Sequence, residues 1–162
     1  MFMTKNKITI IIPAFNEKNN ITKIIKKVNS DLNFEKQIIV IDDCSTDGTA
    51  EIIKNLKNID KAIFHKKNLG KGAAIKSSLS YIKGDIIAIQ DADLEYDPID
   101  LNMLINKLIT GDTKVVYGSR VLNKKRYNQS GFISNFRTFA NQLLTFVSNL
   151  LNNQNLTDAH TC

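Results

Sequence analysis

The chain has 162 residues, 43% of them hydrophobic, which is enough to bury a sizeable core in one compact domain. Its 22 Lys and Arg against 16 Asp and Glu leave a formal charge of +6, compatible with nucleic acid, anionic lipid or a phosphorylated small molecule but unable to choose among them. Cys44 and Cys162 form no C-x-x-C pair and have no His at ligand spacing, which excludes a zinc framework or disulfide scaffold and fits a reducing cytoplasmic compartment.

In chain order, Ile8 to Ile12 predicts a first strand and is too short for a signal peptide. Gln37 to Ile41, Ile59 to Phe64 and Asp85 to Ile89 predict three more strands, alternating with amphipathic stretches that begin near Asn20, Thr49, Lys71 and Ile99. This alternation predicts an α/β fold with a parallel sheet. Pro98 stands where helices commonly start, Gly111 ends that helix, and Lys114 to Tyr117 predicts a fifth strand. After a polar, basic stretch that includes Lys124-Lys125-Arg126, a long helix is expected from Phe132 to Leu151. Phe132, Phe136, Phe139, Ala140, Leu143, Val147 and Leu150 recur there at helical spacing, giving one apolar face. No run reaches the roughly 20 apolar residues that cross a bilayer.

In parallel sheets the ligand crevice lies at the carboxyl ends of the strands. Three acidic segments follow strands here: Pro13-Ala14-Phe15-Asn16-Glu17, Asp42-Asp43-Cys44-Ser45-Thr46-Asp47-Gly48-Thr49 and Asp91-Ala92-Asp93-Leu94-Glu95. Asp91 and Asp93 repel each other unless a divalent cation lies between them and a diphosphate, a reading that their place after a strand strengthens over that of an ordinary acidic loop. Asp43 can accept hydrogen bonds from a base or ribose, whereas Asp47 or Thr49 can cap the following helix; both readings can hold at once. Asn68-Leu69-Gly70-Lys71-Gly72 resembles a phosphate cradle, but Ile75 occupies the last Gly/Ala position of G-x-G-x-x-G and no G-K-[ST] follows, which disfavours dinucleotide and P-loop readings. For His65 a structural or substrate-side role is favoured over general base catalysis.

Read together with Gly118-Ser119-Arg120 and Asn68 to Ala74, these segments resemble family 2 glycosyltransferases over nearly the whole chain. Within that family the likeness is to dolichol-phosphate mannose synthase and related polyprenyl-phosphate glycosyltransferases. The resemblance implies a GT-A fold, one catalytic domain over 1–162, Mg²⁺ or Mn²⁺, and inverting transfer from a GDP- or UDP-linked sugar to a polyprenyl phosphate (dolichyl or undecaprenyl). It implies that Pro13, Phe15, Glu17, Ile41, Asp43, Ala92 and Asp93 hold the nucleoside, that Asp91, Asp93 and Glu95 surround the metal, and that Arg120 meets the diphosphate or the acceptor phosphate. Phe15 stands where the family frequently has Tyr, keeping the stacking face without the hydroxyl. Asp158 to Cys162 looks like the start of a further motif, which implies a chain truncated at its C-terminus. A lipid-phosphate acceptor brings its own oxyanion, whereas a saccharide or other hydroxyl acceptor needs a base, for which Asp158 is the candidate. Asp93, Arg120 and Asp158 are thus the catalytic candidates.

From another class, a receiver-type signalling module also offers an acidic pair on a parallel sheet, but after its first strand, where this chain has Pro13 to Glu17. A nucleic-acid-binding module is favoured by charge alone and disfavoured by the acidic rim. The helix from Phe132 is expected to work at a membrane surface on the cytoplasmic face, with Arg137 meeting the acceptor phosphate; core packing is the competing account of its apolar face.

Overall fold

A computed structural model describes residues 6–119, 132–153 and 156–157, with side chains left undescribed at 132–139 and 141. The chain divides into two compact units, Met1–Asp112 and Thr113–Cys162.

The first unit is built on four parallel strands: β1 (Ile8–Ala14), β2 (Lys36–Asp42), β3 (Lys61–Phe64) and β4 (Ile86–Ile89), in the order β3-β2-β1-β4. They alternate with helices α1 (Ile21–Asp31), α2 (Thr49–Asn55), α3 (Lys71–Ser78) and α4 (Asp100–Thr110), and a 3-10 turn at Leu79–Tyr81 follows α3. β1 and β2 are central and covered on both faces, which explains their unbroken isoleucine runs. On one face Ile8, Ile10, Ile12, Ile38 and Val40 pack against Ile21, Ile24, Ile25 and Val28 of α1, with Ile53 of α2 and Ile105 of α4. The α1 residues recur at i, i+3, i+4 and i+7, the stripe an amphipathic helix buries. On the other face Ile11, Ile39 and Ile41 pack against Ala74 of α3, with Ile63, Ile75 and Ile82 at the margin.

Buried polar side chains set the entry to β4. Thr9 Oγ1 donates to Gln37 Oε1 at 2.8 Å, and the Lys83 N–H donates to the same oxygen at 2.9 Å. Gln37 Nε2 donates to the Tyr81 carbonyl, and the Gly84 N–H donates to Thr9 Oγ1. Every one of these buried groups has a partner, so the network orders the turn without an orphaned dipole. Gly84 is there for lack of space: a Cβ would lie 2.6 Å from the Thr9 nitrogen and 2.7 Å from the Lys7 carbonyl oxygen.

The third strand begins two residues later than its sequence pattern suggests. The Asp60 carboxylate accepts the Ile38 N–H at 2.7 Å in place of a ladder carbonyl. The expected fifth strand is not formed. Lys114 to Tyr117 has no regular structure, and Val115 and Tyr117 are 61% and 56% exposed, so β-branched character without a ladder partner did not make a strand. In the second unit, α5 (Phe132–Asn152) is close to the helix expected there. Among the described residues no helix is long and apolar enough to cross a membrane.

The glycines supply a test of packing. Gly84→Ala should destabilise the protein by about 1–3 kcal/mol, because its new methyl meets backbone. Gly72→Ala, where nothing lies within 4 Å of the added Cβ, should be neutral or slightly stabilising. Urea denaturation of both variants reads the difference; equal midpoints would refute the packing argument.

Candidate functional site

The loops leaving β1 and β2 are stitched together at the carboxyl end of the sheet. The Asn16 N–H donates to Ser45 Oγ at 2.9 Å, and Asn16 Oδ1 accepts the Thr46 N–H at 2.8 Å. The Glu17 N–H donates to Thr49 Oγ1, and the Lys18 N–H to Asp47 Oδ2. Asp47 Oδ1 accepts from both the N–H and the hydroxyl of Thr49. The Thr49 hydroxyl, with the Lys18 and Thr49 amides, holds the Asp47 carboxyl below its ordinary range. Asp47 is therefore a turn-forming residue. Non-glycine residues with left-handed backbone occur once in each rim loop, at Asn16 (φ 57), Cys44 (φ 65) and Leu94 (φ 64). Such conformations persist where surrounding bonds over-determine them, and they concentrate at functional rims.

Asp43 is 4% exposed and its carboxylate is occupied by its own chain. Oδ1 accepts the Leu69 N–H at 2.9 Å and lies 2.6 Å from His65 Nδ1; Oδ2 accepts the Gly70 N–H at 2.7 Å. Burial pushes this carboxyl up, but the two amides and the imidazole outweigh it and hold it below the usual carboxylate range. An ionised carboxylate only accepts, so His65 Nδ1 carries a proton. His65 Nε2 lies 3.1 Å from Ser77 Oγ, which places the ring between the rim and α3. Gly70 (φ 84, ψ 162) adopts a backbone nearly confined to glycine, and it turns its amide toward Asp43.

These loops frame a pocket of about 270 Å³ lined by Pro13, Ala14, Phe15, Glu17, Asp43, Lys71, Ala74, Asp91, Ala92 and Asp93. Phe15 is 47% exposed and offers an aromatic face at its edge. Buried Ala74 and Ala92 leave the floor free of bulk. Gln90, also buried, donates from Nε2 to the Asp91 and Tyr96 carbonyls and so shapes the loop after β4. Lys71 Nζ lies 2.6 Å from Asp91 Oδ1. Four carboxylates against one ammonium give the pocket wall a net formal charge of −3.

Six of the seven residues expected around a nucleoside thus line one pocket. Ile41 does not: it is fully buried in the sheet with Ile11 and Ile39, and its side chain is core. The trio expected around a metal is also not assembled. Asp91 and Asp93 share the pocket, but Asp93 Oδ1 accepts the Glu95 N–H at 2.9 Å in a local turn, and the exposed Glu95 is not part of the wall. Among the described residues no three His, Cys, Asp or Glu are grouped to hold a metal ion. Arg120, Asp158 and Lys124 to Arg126 lie outside the described residues, as does the side chain of Arg137. Lys71 and Ala74 were missed as site residues; their sequence signal is the glycine-flanked lysine at a helix start and the small residue one turn on.

A family model described as Glycosyl transferase family 2 matches residues 9–162. Undecaprenyl-phosphate 4-deoxy-4-formamido-L-arabinose transferases of Salmonella choleraesuis and Salmonella newport are each 31% identical over 112 residues, 65% of this chain. That alignment covers 34% of each of them, so the chain spans about a third of the length of these curated relatives. Glucosyl-3-phosphoglycerate synthase of Mycobacterium tuberculosis, solved with Mn²⁺, UDP and glucosyl-3-phosphoglycerate, is 28% identical with a TM-score of 0.55, covering 66% of this chain and 41% of that one. A mannosyltransferase of Pyrobaculum calidifontis solved with GDP-Man and Mn²⁺ has a TM-score of 0.58 at 22% identity, over 70% of this chain and 34% of that one, a likeness of fold.

The occupied Asp43 carboxylate makes a stability prediction. A folded-state value held below the ordinary Asp value of 3.8 contributes stability that is complete above that value and drains away as pH falls through the folded one. Asp43→Asn should cost about 2 kcal/mol near neutral pH, since an amide has a single acceptor oxygen and would turn its NH₂ toward a backbone N–H. The gap between the two proteins should close as pH falls below about 4. Melting curves across pH check it, and a gap that persists undiminished in acid would refute the clasp.

Proposed function

The chain belongs to glycosyl transferase family 2 and has the GT-A fold, and from these premises we propose that it transfers a sugar from a GDP- or UDP-linked donor to a polyprenyl phosphate, with inversion. The observation that carries the reading is the pocket at the strand ends, where an aromatic face and two closely spaced aspartates share one wall. Phe15 stacks on the base, with Pro13 and Glu17 beside it. Asp43 reaches the nucleoside with the lone pair its own chain leaves unused.

A pocket wall of net negative charge repels a diphosphate unless cations accompany it. Asp91 and Asp93 fit a divalent cation on this ground, as two carboxylates that the diphosphate oxygens and water would complement. Mg²⁺ or Mn²⁺ bound there would neutralise charge that develops on the departing nucleoside diphosphate. The Mn²⁺ in the solved neighbours supports this assignment. Arg120 is proposed to meet the same diphosphate or the acceptor phosphate.

For the acceptor, the likeness to the Salmonella undecaprenyl-phosphate transferases supports undecaprenyl phosphate or a similar lipid. In α5 the exposed Leu143, Phe146, Val147 and Leu150 recur at helical spacing, 42–74% exposed. We assign this face to the headgroup boundary of a cytoplasmic membrane surface, with Lys124 to Arg126 meeting anionic lipid and Arg137 the acceptor phosphate.

Two measurements test the parts separately. Asp93→Asn should weaken Mn²⁺-dependent binding of UDP or GDP at least tenfold in calorimetry while leaving the melting curve in place; unchanged affinity would remove Asp93 from the site. Full-length protein should co-sediment with anionic vesicles, and Phe146→Ser with Leu150→Ser should abolish this. Retained sedimentation would return the face to core packing.

A further inference from the structure

Lys71 is fixed at its backbone and carries a long, partly exposed side chain. Its preceding residue is Gly70, whose amide is held by Asp43, and its own position opens α3. The ammonium crosses to the loop after β4 and meets Asp91 Oδ1 at 2.6 Å, with the lysine side chain 39% exposed and the aspartate 15%. Asp91 therefore carries a monovalent counter-ion in the very place where the proposed function requires a divalent one. A cation brought to Asp91 cannot share that oxygen with an ammonium, because the two positive charges would lie within a few ångströms of each other. The four-carbon stem lets the ammonium swing while the helix stays in place. A nucleoside diphosphate arriving with the cation supplies anionic oxygens in the same pocket.

We propose that Lys71 is an exchanging counter-ion that makes cation and nucleotide bind together. It holds Asp91 in the nucleotide-free protein, and on arrival of a divalent cation with a nucleoside diphosphate it yields Asp91 to the cation and takes a diphosphate oxygen. The inference rests on the donor-site reading above. Cation alone is then disfavoured, since it must break the Lys71–Asp91 ion pair. Nucleotide alone is disfavoured by the surrounding carboxylates. Binding of each is a ligand-dependent change in the other's affinity, and such coupling is reciprocal.

The test measures binding, with no dependence on turnover. Mn²⁺ alone, UDP and GDP each in EDTA, and each nucleotide with saturating Mn²⁺ are titrated into full-length wild type, Lys71→Gln and Lys71→Arg, after melting curves confirm that the variants fold. Lys71→Gln should bind Mn²⁺ alone at least fivefold more tightly and nucleotide with Mn²⁺ at least tenfold more weakly, so that coupling collapses. Lys71→Arg, which keeps the ion pair, should restore much of it. Wild type that shows Mn²⁺-dependent nucleotide binding while Lys71→Gln matches it in all titrations would overturn this inference alone. Wild type that binds neither nucleotide with Mn²⁺ would overturn the donor-site reading and the inference with it.

Discussion

The Asp43 carboxylate decides the shape of the rim. It ends β2 on one side and grips the Leu69 and Gly70 amides on the other, so a loop after one strand and the start of a helix 27 residues later become one piece. The same grip orients His65 and, through Ser77, meets α3 again. Without it the glycine turn has no reason to hold its unusual backbone, and Lys71 and Ala74 lose their fixed places along the pocket. A buried carboxylate is costly to desolvate, and here three chain donors offset that cost.

Charge then organises what shape has assembled. Glu17, Asp43, Asp91 and Asp93 converge on one pocket although the chain as a whole is basic, so the field at the site opposes the field of the molecule. The concentration is affordable only with counter-ions: internal ones for Asp43 and Asp91, and an external one for what remains. The left-handed residues at Asn16, Cys44 and Leu94 lie in the three loops that carry these acidic groups. Asn tolerates this conformation through its short polar side chain. Leu94 does not, and its half-buried side chain packs against the main core in compensation.

Much of this was legible in the sequence because it is periodic or local. The isoleucine runs of β1 and β2, the helix starts at Thr49 and Lys71, and the acidic segments after three strands all follow from patterns a few residues long. The assignment of turn-shaping to Asp47 was legible for the same reason, since its partners Lys18 and Thr49 lie on the adjoining loop and two residues on. Illegible features depend on long-range partners. Nothing near Asp43 in the chain announces that its acceptors will be filled by residues 65, 69 and 70, and Lys71 reaches an aspartate twenty positions away. Ile41 adjoins the acidic pair in sequence, while the alternation of a strand turns its side chain into the core. Lys114 to Tyr117 has strand composition and no strand, since pairing needs an edge that composition does not supply.

The commitments of the pocket's carboxylates also bear on which acceptor it suits. A hydroxyl acceptor must lose its proton to a base within reach. Asp43 already accepts at both oxygens, and its carboxyl is held below the usual range, which makes it a poor proton acceptor. Asp91 is paired with Lys71 and, on the proposed reading, passes to a cation; Asp93 shares that cation and holds the Glu95 amide. Glu17 accepts from Asn20 at the start of α1. Each carboxylate on the wall is thus already engaged by a partner of its own chain. A base for a hydroxyl would have to come from outside this pocket, and Asp158 is the sequence's candidate. A phosphate acceptor arrives already ionised and asks only for cationic groups to guide it, the kind of residue the sequence offers at Arg120, Lys124 to Arg126 and Arg137. On the proposed reading, the shortage of uncommitted base in the pocket suits an acceptor that carries its own nucleophilic oxyanion.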